Sequence, residues 1–427
     1  MRDPASAWQH ARMTHDLRSR AEAHDRLLAS RLDALVPMLM DRAGLDAWVV
    51  AAREYNEDPV LATMLPATWL STARRRTILV FLRSAGGVQR MAVARYDVGD
   101  VFPSAWDPGA QPDQWARAAE VLADADPARI GINSSAVFPL ADGLSASERA
   151  ELVGHLPSML TSRIVSAEAA AIGWLETRLP EERARLADAC RVSHGYLRRA
   201  LSGEVVTPGT TTTADVEWWL RDIVHAGGYG SWFHPTCSVQ RRGGSARDSF
   251  AGKPAETVIE AGDLVHIDFG IVADGYCTDQ QQHAYVLQAG QTLAPDGLVA
   301  GLARANRLQD LLMAQFLAGR TGNEILRGTR EAAAAEALEG LVYTHPIGVH
   351  GHAAGPTIGL WDVQERVEGS GDYSLWSSTA HSIELQARVA VEEWEGQVVQ
   401  FMLEEDAWFD NAGCSFLDGR QTELWLI

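Results

Sequence analysis

The pattern of apolar and polar positions predicts a small domain of mixed helices and strands in the first part of the chain. Leucines at helical spacing in residues 13–42 give one buried face, although Pro37 is expected to kink or interrupt that helix and Gly44 to end it. Apolar runs at 46–51 and across 77–95 indicate a buried strand followed by a hairpin. This combination is typical of an α/β domain.

The rest of the chain also combines predicted helices and strands. Helical periodicity covers residues 181–201, 296–318 and 323–338, and strand patterns dominate on either side of the last two. The chain has 427 residues, more than one hydrophobic core usually serves. We therefore predict two domains, residues 1–175 and 176–427.

The charge of the chain excludes one class of partner. The formal net charge is −19, whereas affinity for nucleic acid rests on clustered lysine and arginine. The basic run Arg74-Arg75-Arg76 does not change this expectation, because it precedes an apolar stretch and is interpreted as the solvated entrance to a strand. No nucleic-acid partner is expected.

Cellular location is predicted from three absences in the sequence. No apolar run approaches the roughly twenty residues that span a bilayer, and the first residues lack an apolar signal core. The four cysteines form no CxxC pair and resemble free thiols of a reducing compartment. We expect a cytoplasmic protein without a membrane partner.

Two aspartates are the first chemical feature. Asp268 lies opposite the packed face of a predicted strand, and a turn carries the chain back to Asp279. The two directly face each other if the hairpin centres between Ala273 and Asp274, and they are diagonal neighbours if it centres on Asp274-Gly275. Both registers keep two like charges close, which favours a shared cation or a bound proton.

Three histidines follow in a short glycine-containing tract. They are His345, His350 and His352, and their spacing alone does not show which of them could bind a metal ion. The glycines between them allow close approach of backbone and ligand.

Two glutamates complete the set of candidate ligands. Glu384 stands opposite its apolar neighbours in a predicted strand. In the last long strand, alternation over residues 401–409 puts Glu404 opposite the apolar face and Glu405 on it, so Glu404 is the candidate ligand and Glu405 the alternative.

Together these motifs resemble the pita-bread metallopeptidase family, which includes methionine aminopeptidase, aminopeptidase P, prolidase and creatinase. The shared feature is the ligand order Asp, Asp, His, Glu, Glu, and the resemblance is strong over about residues 180–427. Residues 13–150 more loosely resemble the N-terminal domain of the prolidase, aminopeptidase P and creatinase branch. The resemblance implies an α/β N-terminal domain followed by an α+β pita-bread catalytic domain.

The resemblance also implies a cofactor, namely two divalent metal ions such as Mn²⁺, Co²⁺ or Zn²⁺. The implied ligands are Asp268, Asp279, His345, Glu384 and Glu404. In the family arrangement, Asp279 and Glu404 bridge the two ions, and the bridging water is the nucleophile. Glu384 is then the proton shuttle, and His352 is the residue that steadies the substrate.

Two helper positions depart from the family pattern. A second substrate-side histidine normally precedes the first aspartate by about eighteen residues, where this chain has Phe250 and its neighbours. The Thr-Arg pair after the second aspartate is replaced by Gln281-Gln282. His234 and His350 are the candidates to take over the lost roles.

Three functions compete at this point. The leading hypothesis is an Xaa-Pro dipeptidase or aminopeptidase that acts on a small peptide as a homodimer, as the two-domain branch implies. The second is an enzyme of the same fold that cleaves a small non-peptide C–N bond, as creatinase does, either by hydrolysis or as a lyase. The third is a catalytically silent peptide-binding module.

Overall fold

The computed structural model describes residues 16–244 and 255–427. They form two compact units, residues 16–177 and the described part of 178–427. Phe250, the residue at the altered histidine position, lies outside the described residues.

The N-terminal unit is built on one mixed sheet. Its strands are β1 (Ala47–Arg53), β2 (Arg76–Ser84), β3 (Gly87–Val93), β4 (Ile130–Ile132) and β5 (Ile164–Ser166). Its α-helices are α1 (Leu17–Ala43), α2 (Pro59–Thr63), α3 (Gln114–Ala125), α4 (Ala146–His155), α5 (Ser158–Thr161) and α6 (Glu168–Glu176). Single 3₁₀ turns lie at Ala67–Trp69 and Pro139–Ala141. The strand order is β3-β2-β1-β4-β5, with β1 antiparallel to β2 and parallel to β4.

Helix α1 begins and ends where its capping residues require. The Asp16 side chain accepts a hydrogen bond from the Ser19 N–H at 2.9 Å, and Gly44 adopts the left-handed conformation with φ 61°. Pro37 lies inside the helix, which continues to Ala43. Of the two outcomes expected at Pro37, the interruption is therefore wrong, and the burial of neighbouring apolar residues such as Leu39 stabilises the helix despite the hydrogen bond that proline cannot donate.

The C-terminal unit combines long helices with several small sheets. Its helices are α7 (Pro180–Ala200), α8 (Thr213–Gly227), α9 (Asp296–Met313) and α10 (Gly322–Ala335), with 3₁₀ turns at Ser370–Asp372 and Glu392–Trp394. One described sheet has the order β18-β10-β7-β6, from β6 (Thr236–Gln240), β7 (Leu264–Phe269), β10 (Gln280–Tyr285) and β18 (Trp425–Leu426). A short ribbon pairs β8 (Val272–Ala273) with β9 (Tyr276–Cys277).

Two further sheets contain or flank the candidate ligands that come later in the chain, His345, Glu384 and Glu404. The first has the order β11-β14-β15, from β11 (Gly340–Val342), β14 (Leu385–Val391) and β15 (Gln397–Leu403). The second has the order β12-β13-β16-β17, from β12 (His345–Pro346), β13 (Thr379–Ser382), β16 (Asp406–Asp410) and β17 (Gly413–Phe416). The unit thus has separate helices and mainly antiparallel strands, which is the α+β arrangement predicted.

The β7–β10 hairpin has the second of the two registers considered above. Asp268 pairs with Gln281, and the register centres on Asp274-Gly275. Both turn residues have positive φ, 49° and 85°, as a two-residue turn of type I′ requires. Asp279 therefore lies two residues from the partner of Asp268 on the same face, as its diagonal neighbour.

The two glutamates lie where the chain passes from one sheet to another. Glu384 separates β13 from β14, and Glu404 lies between β15 and β16. The predicted continuous strand over 401–409 is therefore wrong, since it breaks at Glu404-Glu405. Every residue from 401 to 409 is buried, so alternation along this segment does not separate a buried face from an exposed one.

Two global expectations can be compared with the structure. No helix within residues 16–244 and 255–427 combines the length and apolar character needed to cross a bilayer. All four cysteines lie in the described part of the chain and are free thiols, as predicted.

Candidate metal centre

Six acidic and histidine side chains of the C-terminal unit converge into three overlapping groups. Within each group the potential ligand atoms lie within 4.8 Å of one another. The groups are Asp268, Asp279 and Glu404; His345, Glu384 and Glu404; and Asp279, His345 and His352. The structure thus brings together all five sequence-predicted ligands and the predicted substrate-side histidine. Asp279, His345 and Glu404 each belong to two groups.

The atoms at the centre of these groups fit a cation. Nε2 of His345 lies 3.5 Å from Oε1 of Glu404 and 3.7 Å from Oδ2 of Asp279, and no described atom forms a hydrogen bond with it. Nδ1 of His345 lies 3.0 Å from the Pro346 carbonyl, which assigns the ring proton to Nδ1. The Nε2 lone pair then faces carboxylate oxygens, an arrangement that a shared positive ion would stabilise.

The electrostatics of the carboxylates support the same interpretation. Burial and the nearby carboxylates of Glu404 and Asp268 raise the pKa of Asp279 well above its ordinary value. Burial and the carboxylate of Glu404 likewise raise the pKa of Glu384. The carboxyl groups of Asp279 and Glu384 therefore resist ionisation in the absence of a cation, and a divalent ion would remove that cost.

Gln281, one of the two altered helper positions, lies among these carboxylates, and its contacts with them were not predicted from the sequence. Its Nε2 donates to Oε1 of Glu384 at 2.6 Å and to Oε2 of Glu404 at 2.7 Å. Its Oε1 accepts a hydrogen bond from Nε2 of His266 at 3.0 Å. The signal that could have found it is the hairpin register, because the residue paired with Asp268 must share its face.

Two further polar contacts position Glu404 and Asp279. The hydroxyl of Ser382 donates to Oε1 of Glu404 at 2.6 Å, and the backbone N–H of Asp279 donates to Oδ2 of Asp406 at 3.1 Å. Neither Ser382 nor Asp406 was predicted, because both act through contacts between segments distant in the sequence.

Glu405 points to a separate polar network. Its carboxylate lies 2.7 Å from Nε2 of His194 and accepts hydrogen bonds from Gln282 Nε2 at 2.5 Å and from the Gln421 N–H at 3.0 Å. The other ring nitrogen of His194 lies 2.9 Å from Asp418. Although burial opposes protonation, the charges of Glu405 and Asp418 raise the pKa of His194 to about 10. Gln282 therefore supports this network and not the ligand groups.

The remaining histidines have different surroundings. The exposed His352 ring lies 4.8 Å from the His345 ring, centroid to centroid, and 5.3 Å from Trp232. His234 lies 3.3 Å from Glu217. Neither His234 nor His350 belongs to any of the three ligand groups among the described residues.

Comparison with known proteins gives the family. Residues 184–393 match the model of metallopeptidase family M24, a range that contains four of the five candidate ligands and ends before Glu404. A curated Mycoplasma pneumoniae protein with a provisional Xaa-Pro aminopeptidase name is 31% identical over 74 residues. That match spans 17% of this chain and 20% of the relative's length.

Solved structures show the fold over nearly the whole chain. The X-Pro aminopeptidase of Thermotoga maritima superposes with a TM-score of 0.64 at 16% identity and covers 91% of this chain and 100% of its own. The Xaa-Pro dipeptidase of Bacillus anthracis gives a TM-score of 0.62 at 16% identity, with 94% and 100% covered. The match over residues 184–393 identifies that part of the chain as a member of metallopeptidase family M24, and the solved structures show that nearly the whole chain has the pita-bread fold.

Proposed function

We propose that this metallopeptidase uses two divalent metal ions to hydrolyse Xaa-Pro bonds of small peptides. The observation that carries the proposal is the overlap of the ligand groups, in which Asp279 and Glu404 can each serve two neighbouring ions. Asp268 would complete one site, and His345 and Glu384 the other. One histidine among four carboxylates suits Mn²⁺, Co²⁺ or Zn²⁺.

The ions and the protein side chains would divide the chemistry between them. Divalent ions held here would supply Lewis-acid activation of a water molecule and of the scissile carbonyl. Glu384 would hold and move a proton, and the hydrogen bond that Gln281 donates to its Oε1 would orient it for this role. The exposed ring of His352, 4.8 Å from the His345 ring, would orient the substrate.

The Xaa-Pro substrate class is supported by the fold. The superposed Thermotoga and Bacillus proteins are named for action on such bonds, and both align over the full length of their chains. By the same analogy we propose a homodimer, which sedimentation of the purified chain at several concentrations would test.

The Gln281 amide favours a second candidate, a silent peptide-binding module. The amide already donates to Glu384 and Glu404, so it satisfies two carboxylate oxygens that an ion would otherwise neutralise. On this alternative the chain would bind peptides without turnover.

One experiment separates the candidates. Protein purified without chelator is analysed for metal and then assayed with Mn²⁺, Co²⁺ or Zn²⁺ on Xaa-Pro dipeptides, longer Xaa-Pro peptides, matched Xaa-Ala peptides and small non-peptide C–N substrates. We expect about two ions per chain and cleavage restricted to the Xaa-Pro set. Fewer than one ion, with no cleavage of any substrate, would support the binding module. Turnover of the non-peptide set alone would move the function to a C–N hydrolase or lyase.

A further inference from the structure

The N-terminal unit contains a cavity with an unusual lining for so acidic a chain. The cavity has a volume of about 570 Å³. Five of its lining residues are arginines, and the described residues that line it include no aspartate or glutamate. The arginines are Arg53, Arg74, Arg75, Arg76 and Arg95. Three of them form the basic run that the sequence alone suggested to be a solvated strand entrance.

Only part of this positive charge is neutralised inside the unit. Glu148, which is buried, pairs with Arg53 at 3.1 Å and with Arg76 at 2.7 Å. Glu54 accepts a hydrogen bond from the backbone N–H of Arg75, not from its guanidinium. Within the described residues, the guanidinium groups of Arg74, Arg75 and Arg95 have no carboxylate partner at ion-pair distance.

Aromatic side chains hold two of these unpaired arginines in place. The Arg74 guanidinium lies 4.7 Å from the centre of the Trp69 ring, and that of Arg95 lies 5.5 Å from the centre of the Trp106 ring. Such stacking positions a guanidinium without using its N–H groups; Arg74 also donates from Nη2 to the Thr68 carbonyl at 3.1 Å, which holds it further and leaves its other N–H groups for an anion. The arginines are thus ordered before a ligand arrives, which lowers the entropic cost of binding.

The backbone that presents the arginines is also strained. Leu70, Ser71, Arg74 and Arg75 all have positive φ values, between 44° and 64°, a conformation rare for residues other than glycine. Strain of this kind persists where the surrounding structure requires the geometry.

We propose that this cavity binds a small phosphate compound that carries a diphosphate group. Arginine's planar fork of N–H donors matches phosphate oxygens, and several unpaired arginines in one cavity need a ligand with more charge than a simple carboxylate supplies. The volume lies in the range of small-molecule sites. The half-exposed ring of Tyr96, another lining residue, offers a stacking surface to a nucleoside.

The test is calorimetric titration of the full-length protein with pyrophosphate and with a nucleoside diphosphate. The double variant Arg75→Gln, Arg95→Gln removes two unpaired charges without breaking an ion pair. We expect it to weaken binding of both probes about a hundredfold, roughly tenfold for each arginine. Arg149→Gln, an exposed arginine of the same unit that does not line the cavity, is the matched control and should bind as the unmodified chain does.

Three results would overturn the proposal. They are no binding of either probe, equal affinity in the unmodified chain and the double variant, or tighter binding of citrate than of pyrophosphate. Pyrophosphate bound at the metal centre would leave the double variant unchanged and so counts as the second of these. The variant Tyr96→Ala identifies the source of the diphosphate. If it loses affinity for the nucleoside diphosphate but not for pyrophosphate, the ligand is a nucleotide. If it binds both probes as tightly as the unmodified chain does, the ligand is an inorganic diphosphate.

Discussion

Nε2 of His345 lies 3.5 Å from Oε1 of Glu404 without a hydrogen bond between them, close enough for both atoms to bind one cation. The adjacent Glu405, equally buried at 1% exposure, points instead to His194. Neighbouring glutamates of equal burial thus provide a matched pair of substitutions.

Glu404→Gln should remove a carboxylate shared by two ligand groups. We expect the metal content to fall by at least one equivalent and Xaa-Pro cleavage to fall by about a hundredfold or more. Glu405→Gln should leave the metal content unchanged, because its carboxylate contacts none of the candidate ligands in the described network. Elemental analysis of both proteins after gel filtration provides the comparison, and equal metal loss in the two would refute the assignment.

Gln281 orients two of the candidate metal carboxylates. Gln281→Met keeps the size of the side chain and removes both donated hydrogen bonds, so the affinity for Mn²⁺ should fall by about ten- to a hundredfold. Gln280→Met on the opposite face of the same strand is the control, and its metal affinity should remain close to that of the unmodified chain. Calorimetric titration with Mn²⁺ measures both, and a Gln281→Met protein with undiminished affinity would contradict this role.

The metal-free protein should lose stability as the pH rises. The pKa values of Asp279 and Glu384 are raised above their ordinary values of 3.8 and 4.5. At a pH between the ordinary and the raised pKa of each group, the folded chain therefore binds more protons than the unfolded chain. The contribution of these groups to the free energy of unfolding therefore decreases across that interval. Melting temperatures from pH 5 to 8 in the presence of a chelator should show this decrease.

Saturating Mn²⁺ should reverse the loss of stability with rising pH. Metal ions compete with protons for carboxylates, so the stabilisation by metal should grow as the pH rises. Asp279→Asn should flatten the pH dependence in chelator. A chelator-treated chain whose melting temperature rises with pH as steeply as that of the metal-loaded chain would be inconsistent with the raised pKa values.

His194 should stabilise the C-terminal unit through its two carboxylate partners. Its pKa is raised from 6.5 to about 10, so its contribution is fully present below about pH 6.5 and is lost as the pH rises through 10. His194→Ala leaves the buried Glu405 without its cationic partner and should cost about 3 kcal/mol in the free energy of unfolding by urea at pH 7. The exposed His225→Ala should cost no more than about 0.5 kcal/mol, and equal losses would exclude the ion-pair explanation.

Local patterns were sufficient to predict much of the fold. Alternation and the Asp-Gly turn limited the hairpin to two registers, and the structure has the one that places Asp279 diagonally from Asp268. The cap at Gly44 followed from conformational preference alone. These features depend on residues close in sequence, where elementary rules are strongest.

The contacts made across the fold could not be predicted in this way. Strand alternation selected Glu404, yet the strand breaks at that residue and both faces are buried, so the physical basis of that choice does not apply. The hydrogen bonds from Gln281 to Glu384 and Glu404 depend on the meeting of segments more than a hundred residues apart. The grouping of Arg95 with Arg74 and Arg75 likewise arises from tertiary structure.

The pairing between Gln281 of β10 and Glu404 is an isolated bridge, separate from the strand pairings within the sheets. Its two backbone contacts, Gln281 N–H to Glu404 O at 3.0 Å and Glu404 N–H to Gln281 O at 3.5 Å, join segments from separate sheets. This seam between the sheets is also held by the side-chain hydrogen bond from Gln281 to Glu404, and local opening of the seam would expose the two amides to deuterium exchange. Because candidate ligands lie on both sides of the seam, a bound ion would link the two segments. The deuterium uptake of these two amides would therefore decrease as metal occupancy increases.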